Sequence, residues 1–129
     1  MREGNITSLA PDEIFVFGSN YAGRHGKGAA LQALKFGAIN GQGMGFMGRT
    51  YGIATKDRNL KVLPLSSIRT QIKNFLRFAE VNPKLVFLVT PIGCGLAGYK
   101  PKQIAPLFYS HEIPENVSLP EVFRKAVNQ

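Results

Sequence analysis

The sequence predicts an α/β domain in which helices cover a central sheet, and three observations carry that expectation. Short apolar runs of strand length alternate with stretches of helical spacing along 129 residues. Two of those runs, 14–17 and 85–89, lead into glycine-rich turns rather than into hairpin signals. The second run is apolar throughout, the pattern of a strand covered on both faces in a parallel or mixed sheet.

Each element follows from local chemistry. Residues 1–13 are a short polar lead-in ending in the turn Ala10-Pro11-Asp12-Glu13. After the strand at 14–17, Ala29, Ala30, Ala33 and Leu34 take up helical spacing, and Gly37 stands where a helix C-cap glycine belongs. Gly41, Gly43, Gly45 and Gly48 keep the next loop open until Tyr51, where 51–55 reads as a second strand. Lys56-Asp57-Arg58-Asn59 is a polar exit closed by Pro64. Ile68, Ile72, Phe75, Leu76 and Ala79 then mark a helix, with Ser66 or Ser67 as N-cap and Asn82-Pro83 as its stop. Its opposite face carries Arg69, Lys73, Arg77 and Glu80. Beyond the strand at 85–89 and the turn at 93–98, Pro101 opens a helix through Ile104, Leu107 and Phe108. A short strand at 115–119 and a helix at 120–127 complete the order.

This length fits one domain spanning 1–129, and 44% apolar residues suffice for one ordinary core. The net charge of +8 makes nucleic acid, nucleotides or an acidic surface the expected partners. A lone cysteine, Cys94, excludes an internal disulfide, and no Cys/His cluster has zinc spacing. No apolar run has membrane-spanning length, so the expectation is a cytoplasmic protein without membrane, metal or cofactor.

The stretch 14–56 builds an anion site. A strand runs into a loop containing Gly18, Gly23, Gly26 and Gly28 and then into a helix start, so backbone amides and the helix dipole favour a phosphate there. Between Glu13 and Asp57 there is no acid, whereas Arg24, Lys27, Lys35, Arg49 and Lys56 all fall inside. Ligands of such sheets bind outside the carboxyl ends of the strands, so the two glycine turns are expected to face one cleft.

Rival motifs fail on context. Gly43-Met44-Gly45-Phe46-Met47-Gly48 matches G-x-G-x-x-G, but it follows a helix, whereas the dinucleotide fingerprint follows a strand. In a phosphate loop, Tyr21 would stand at the first glycine and Gly28 at the Mg²⁺-binding Ser/Thr, so that reading is rejected too. His25 is expected in a loop or phosphate contact and His111 at the surface, and Cys94 reads as a small residue in a tight turn. Phe46, Tyr51 and Tyr99 border the glycine loops, where one could stack on a base.

Taken together and in order, these residues resemble the macrodomain family. Gly4-Asn5-Ile6-Thr7 is similar to its G-D-I-T start, and Phe17-Gly18-Ser19-Asn20 to its N-A-A-N segment. Gly26-Lys27-Gly28-Ala29-Ala30-Leu31, Lys35-Phe36-Gly37, Tyr51-Gly52-Ile53-Ala54-Thr55-Lys56 and Ile92-Gly93-Cys94-Gly95-Leu96 resemble one branch. That branch holds the terminal ADP-ribose glycohydrolase and the antitoxin macrodomain that removes ADP-ribose from DNA. The resemblance covers about residues 4–108 and implies a first strand shortened or absent.

It further implies ADP-ribose, or an ADP-ribosylated macromolecule, as ligand. Asn5 and Ile6 would meet the adenine end. Gly26, Gly28 and Ala29 would present amides to the diphosphate, and Gly93, Cys94, Gly95, Leu96 and Ala97 would clasp it with the distal ribose. Asn20 would stand near that ribose, and Lys56 would be the nucleophile of a glycohydrolase acting on DNA before protein. Such a lysine needs a lowered pKa, from burial or from cations such as Arg58. Two departures stand out. Ala97 replaces the acid of the terminal glycohydrolase, and Asn5 replaces the aspartate that accepts from the adenine amine, which weakens that bond. Both favour the alternative of a non-catalytic reader or sequestering module. A plain nucleic-acid binder, with glycine loops along the phosphate backbone, is a third reading.

Overall fold

The first apolar run of the chain becomes the centre of the sheet. In a computed structural model that describes residues 6–128, strand β1 (Glu13–Asn20) continues past its apolar core into the glycine turn. It lies between β3 (Thr50–Lys56) and β4 (Val86–Val89) and is parallel to both. β5 (Val117–Ser118) is parallel to β4 at one edge. β2 (Gly45–Met47) is antiparallel to β3 at the other, giving the order β2-β3-β1-β4-β5. β2 lies inside the loop that the sequence leaves open. With φ of 86° at Gly45 and 58° at Gly48, the chain turns into and out of a three-residue strand too short for periodicity to reveal.

Alternation along β1 sends its side chains to two faces. Ile14 and Val16 join the core beneath α2 (Leu65–Glu80), α3 (Pro101–Tyr109) and α4 (Glu121–Val127), with Phe75, Phe87, Phe108 and Phe123. Phe15 and Phe17 face α1 (Gly28–Ala33) and its 3₁₀ extension (Leu34–Phe36) in a small cluster with Ala30, Ala33, Ala38 and Met47. Each fully buried large side chain contributes about 1.5–3 kcal/mol, so most of the stability resides on the three-helix face. The described residues form a single α/β domain with a mixed five-stranded sheet and four α-helices.

One expectation here needs correction. Neither Ser66 nor Ser67 caps α2: Pro64 enters it in extended conformation with no side-chain cap, and the helix starts one residue before the serines. The run at 85–89 is buried on both faces as expected: Phe87 and Val89 face the large core, and Leu88 borders a cavity that α1 lines with Gly28, Ala29 and Gln32. Asn82 ends α2 as expected, its Nδ2 donating to the Phe78 carbonyl at 2.8 Å. Gly37 is the left-handed C-cap, with φ of 107°. Residues 6–12 form no strand, and Asn5 lies outside the described residues.

Candidate functional site

The crossover pattern dictates where a cleft must open. β1 and β4 are neighbours, but the chain leaves β1 toward α1 on one face and leaves β4 toward α3 on the other. Loops departing in opposite directions part above the sheet, leaving a crevice at the carboxyl ends of the two strands. A cleft of about 650 Å³ lies there, within the range of about 300–1,000 Å³ usual for small-molecule sites. Gly26, Gly28 and Ala29 line one rim, and Gly93, Gly95, Leu96 and Ala97 line the other, so the two glycine turns do meet.

The first rim is held from beneath. Asn20 Oδ1 accepts from the Arg24 amide and Asn20 Nδ2 donates to the Arg24 carbonyl, both at 2.9 Å, which locks the turn that follows β1. Gly23 N donates to the Asn20 carbonyl, and Gly41 N to the Gly23 carbonyl. Gly43 packs against the same strand end so closely that a Cβ there would lie 1.8 Å from the Asn20 carbonyl oxygen. His25 is buried at 2% exposure, and its Nε2 lies 2.9 Å from the carbonyls of both Ile39 and Gln42. With two acceptors beside it, Nε2 carries the proton and acts as an internal clasp. His25 therefore lies in the loop, one of the two places expected for it, and there it makes a structural contact rather than one to phosphate. His111 is half-buried at the surface, with its Nε2 turned inward.

What remains free on this rim is backbone. None of the N–H groups of residues 26–30 donates to an acceptor among the described residues. Because α1 has only six residues, its dipole is short, and the loop amides rather than the dipole make this rim attractive to anions. On the second rim, the amides of residues 93, 95, 96 and 97 are similarly free, whereas Cys94 N donates to the Pro91 carbonyl at 3.2 Å. Cys94 does not line the cleft. Its side chain packs against the large core, and burial raises the thiol pKa, so it stays protonated at neutral pH.

Lys56 and Asn20 sit side by side at the ends of β3 and β1, paired across a bulge, and both line the cleft. Lys56 is half-buried, and its ammonium has no partner among the described residues. Arg58 is exposed and does not line the cleft. Leu60 does, held at φ of 61° by the turn in which Asp57 Oδ1 accepts from the amides of Asn59 and Lys61. Arg24, Lys27 and Lys56 bring three cations to the wall, and no carboxylate lines it among the described residues.

A second cavity of about 660 Å³ adjoins the first and shares Gly28, Ala29, Thr90 and Pro91 with it. Ile6, Phe15, Gln32 and Leu88 contribute to it, and the Gln32 side chain donates to the Ile6 carbonyl. Ile6 thus belongs to this second space and not to the cleft. Phe46, Tyr51 and Tyr99 line neither: Phe46 and Tyr51 pack on Phe78, and Tyr99 Oη donates to the Leu63 carbonyl at 2.6 Å. Sequence reasoning gave no site role to Ser19, Thr55 or Thr90, which line the cleft. The available signal was their place, since each stands within one residue of the carboxyl end of β1, β3 or β4.

The fold and site define an α/β domain with an amide-lined, cationic cleft at a topological switch point. No family model, curated protein or solved structure matches the chain. No described helix is long and apolar enough to cross a membrane.

Proposed function

We propose that the cleft binds the ADP-ribosyl group, free or carried on a macromolecule, in a macrodomain-like manner, and that Lys56 acts on the linkage to that carrier. The observation that carries the reading is that, among the described residues, two rims of unpaired amides meet around a wall with three cations and no lining acid. A pyrophosphate offers only acceptors and suits such a wall. The adjoining cavity gives room for a base, and Lys56 lines the cleft but not that cavity.

In the catalytic form, Lys56 gives up a proton and its amine attacks the anomeric carbon of the distal ribose. A carbon–nitrogen bond forms while the glycosidic bond breaks, and its electron pair leaves with the carrier base, which takes a proton from water. Water then hydrolyses the sugar–lysine adduct and restores the amine. A nucleic-acid carrier is favoured because, among the described residues, Arg58, Lys61, Arg69, Lys73 and Arg77 make no ion pair and are free for phosphodiesters. A second reading, a reader that holds the group without cleaving it, is favoured because no carboxylate among the described residues lines the cleft to act as acid.

Calorimetry with ADP-ribose is expected to show millimolar or tighter binding, and its absence would end the ligand assignment. In a time course with an ADP-ribosylated thymidine oligonucleotide, Lys56→Ala is expected to abolish release of ADP-ribose while binding free ADP-ribose almost as the parent does. Equal turnover by the variant would remove Lys56 from the chemistry, and no turnover by either protein would leave the reader.

A further inference from the structure

We propose that the Ser19 hydroxyl donates a hydrogen bond to a phosphate oxygen of the bound ligand and so forms an anion subsite below the first rim. The inference rests on the ADP-ribosyl reading and extends it to one side chain and one chemical group. Ser19 is 3% exposed and lines the cleft, yet its buried Oγ has no hydrogen-bond partner among the described residues. Buried hydroxyls almost always have one.

The neighbours explain why none is available. Strand alternation puts Ser19 on the face of Phe15 and Phe17, toward α1, where Ala30 packs and offers no polar side chain. Across the sheet its register partner is Ala54, whose amide and carbonyl are both engaged by the Gln71 side chain, at 2.6 and 2.8 Å. Thr55 Oγ1 donates to the Ser19 carbonyl at 3.3 Å, not to its hydroxyl. An alanine would fill this strand position without an orphaned polar atom, so the hydroxyl is a cost in the empty protein that a ligand acceptor removes.

The acceptor's chemistry follows from the company Ser19 keeps. The free amides of residues 26–30 and the cations Arg24 and Lys27 are donors only, so an oxygen received there must accept several hydrogen bonds at once. A phosphate oxygen does so, whereas a sugar hydroxyl brings a proton of its own.

The test compares parent protein with Ser19→Ala by calorimetry against ADP-ribose, ADP and inorganic pyrophosphate, together with thermal unfolding of the ligand-free proteins. The expected result is a loss of about tenfold for all three ligands, with an unfolding midpoint unchanged or higher. Equal affinities would overturn the proposal. A loss confined to ADP-ribose would also overturn it, by moving the contact to the distal sugar. So would a fall in affinity matched by a lower midpoint, the mark of a structural role. A parent protein that binds pyrophosphate but not ADP-ribose would end the ADP-ribosyl reading while leaving Ser19 to be judged on pyrophosphate. Binding of none of the three would end both.

Discussion

The two rims of the cleft look alike in sequence and differ in almost everything that governs binding. The first, at 26–29, is exposed or half-exposed and adjoins Arg24 and Lys27, and its glycines face open space: a Cβ on Gly26 or Gly28 would touch nothing within 4 Å. Its rigidity is borrowed from below, from the Asn20 clamp, the His25 clasp and the close approach of Gly43. The second, at 93–97, has no charge, and its anchor is its own glycine. Gly93 takes φ of 77° with Ile104 Cδ1 2.9 Å from where a Cβ would be. Gly95 meets open space as Gly26 and Gly28 do, so among the glycines only Gly93 sets the second rim apart, serving packing rather than ligand access.

The largest expected effect probes the foundation of the first rim. Gly43→Ala puts a methyl 1.8 Å from a backbone oxygen that cannot rotate away, and chemical denaturation is expected to show a loss of at least about 3 kcal/mol. A near-neutral result would mean that the first rim does not depend on that contact. Next come Gly26→Glu and Gly95→Glu, whose positions are free of neighbours and of positive φ, so neither strains the backbone. Each is expected to weaken ADP-ribose binding by about 100-fold with unfolding unchanged, because a carboxylate there opposes the pyrophosphate. If only one does so, the ligand uses only one rim. The smallest effect is Gly93→Ala, expected to cost about 1–2 kcal/mol of stability for the left-handed backbone, since the clashing end of Ile104 can rotate.

Much of this was legible from residues alone. The runs at 14–17, 51–55 and 85–89 announced three strands, and Gly37, Asn82 and Pro101 announced where helices stop and start. What escaped was whatever depends on distant partners. β2 exists only because β3 offers it an edge. His25 looked like a ligand residue because nothing near it in sequence reveals that the carbonyls of Ile39 and Gln42 close around its ring. Asn20 was expected beside the ribose. It does line the cleft, but its amide is committed to Arg24, four residues on.

By itself the sequence determined an α/β domain, two strand-to-glycine-turn transitions and a long acid-free basic stretch, because hydrophobic period, backbone permissiveness and charge are properties of neighbouring residues. Only the tertiary structure decided that the two turns share a cleft, that Cys94 turns into the core while Lys56 faces the cavity, and that Ser19 is left without a partner. Those outcomes depend on which strands pair and on which face each chain segment leaves the sheet, and both are set by contacts between residues far apart along the chain.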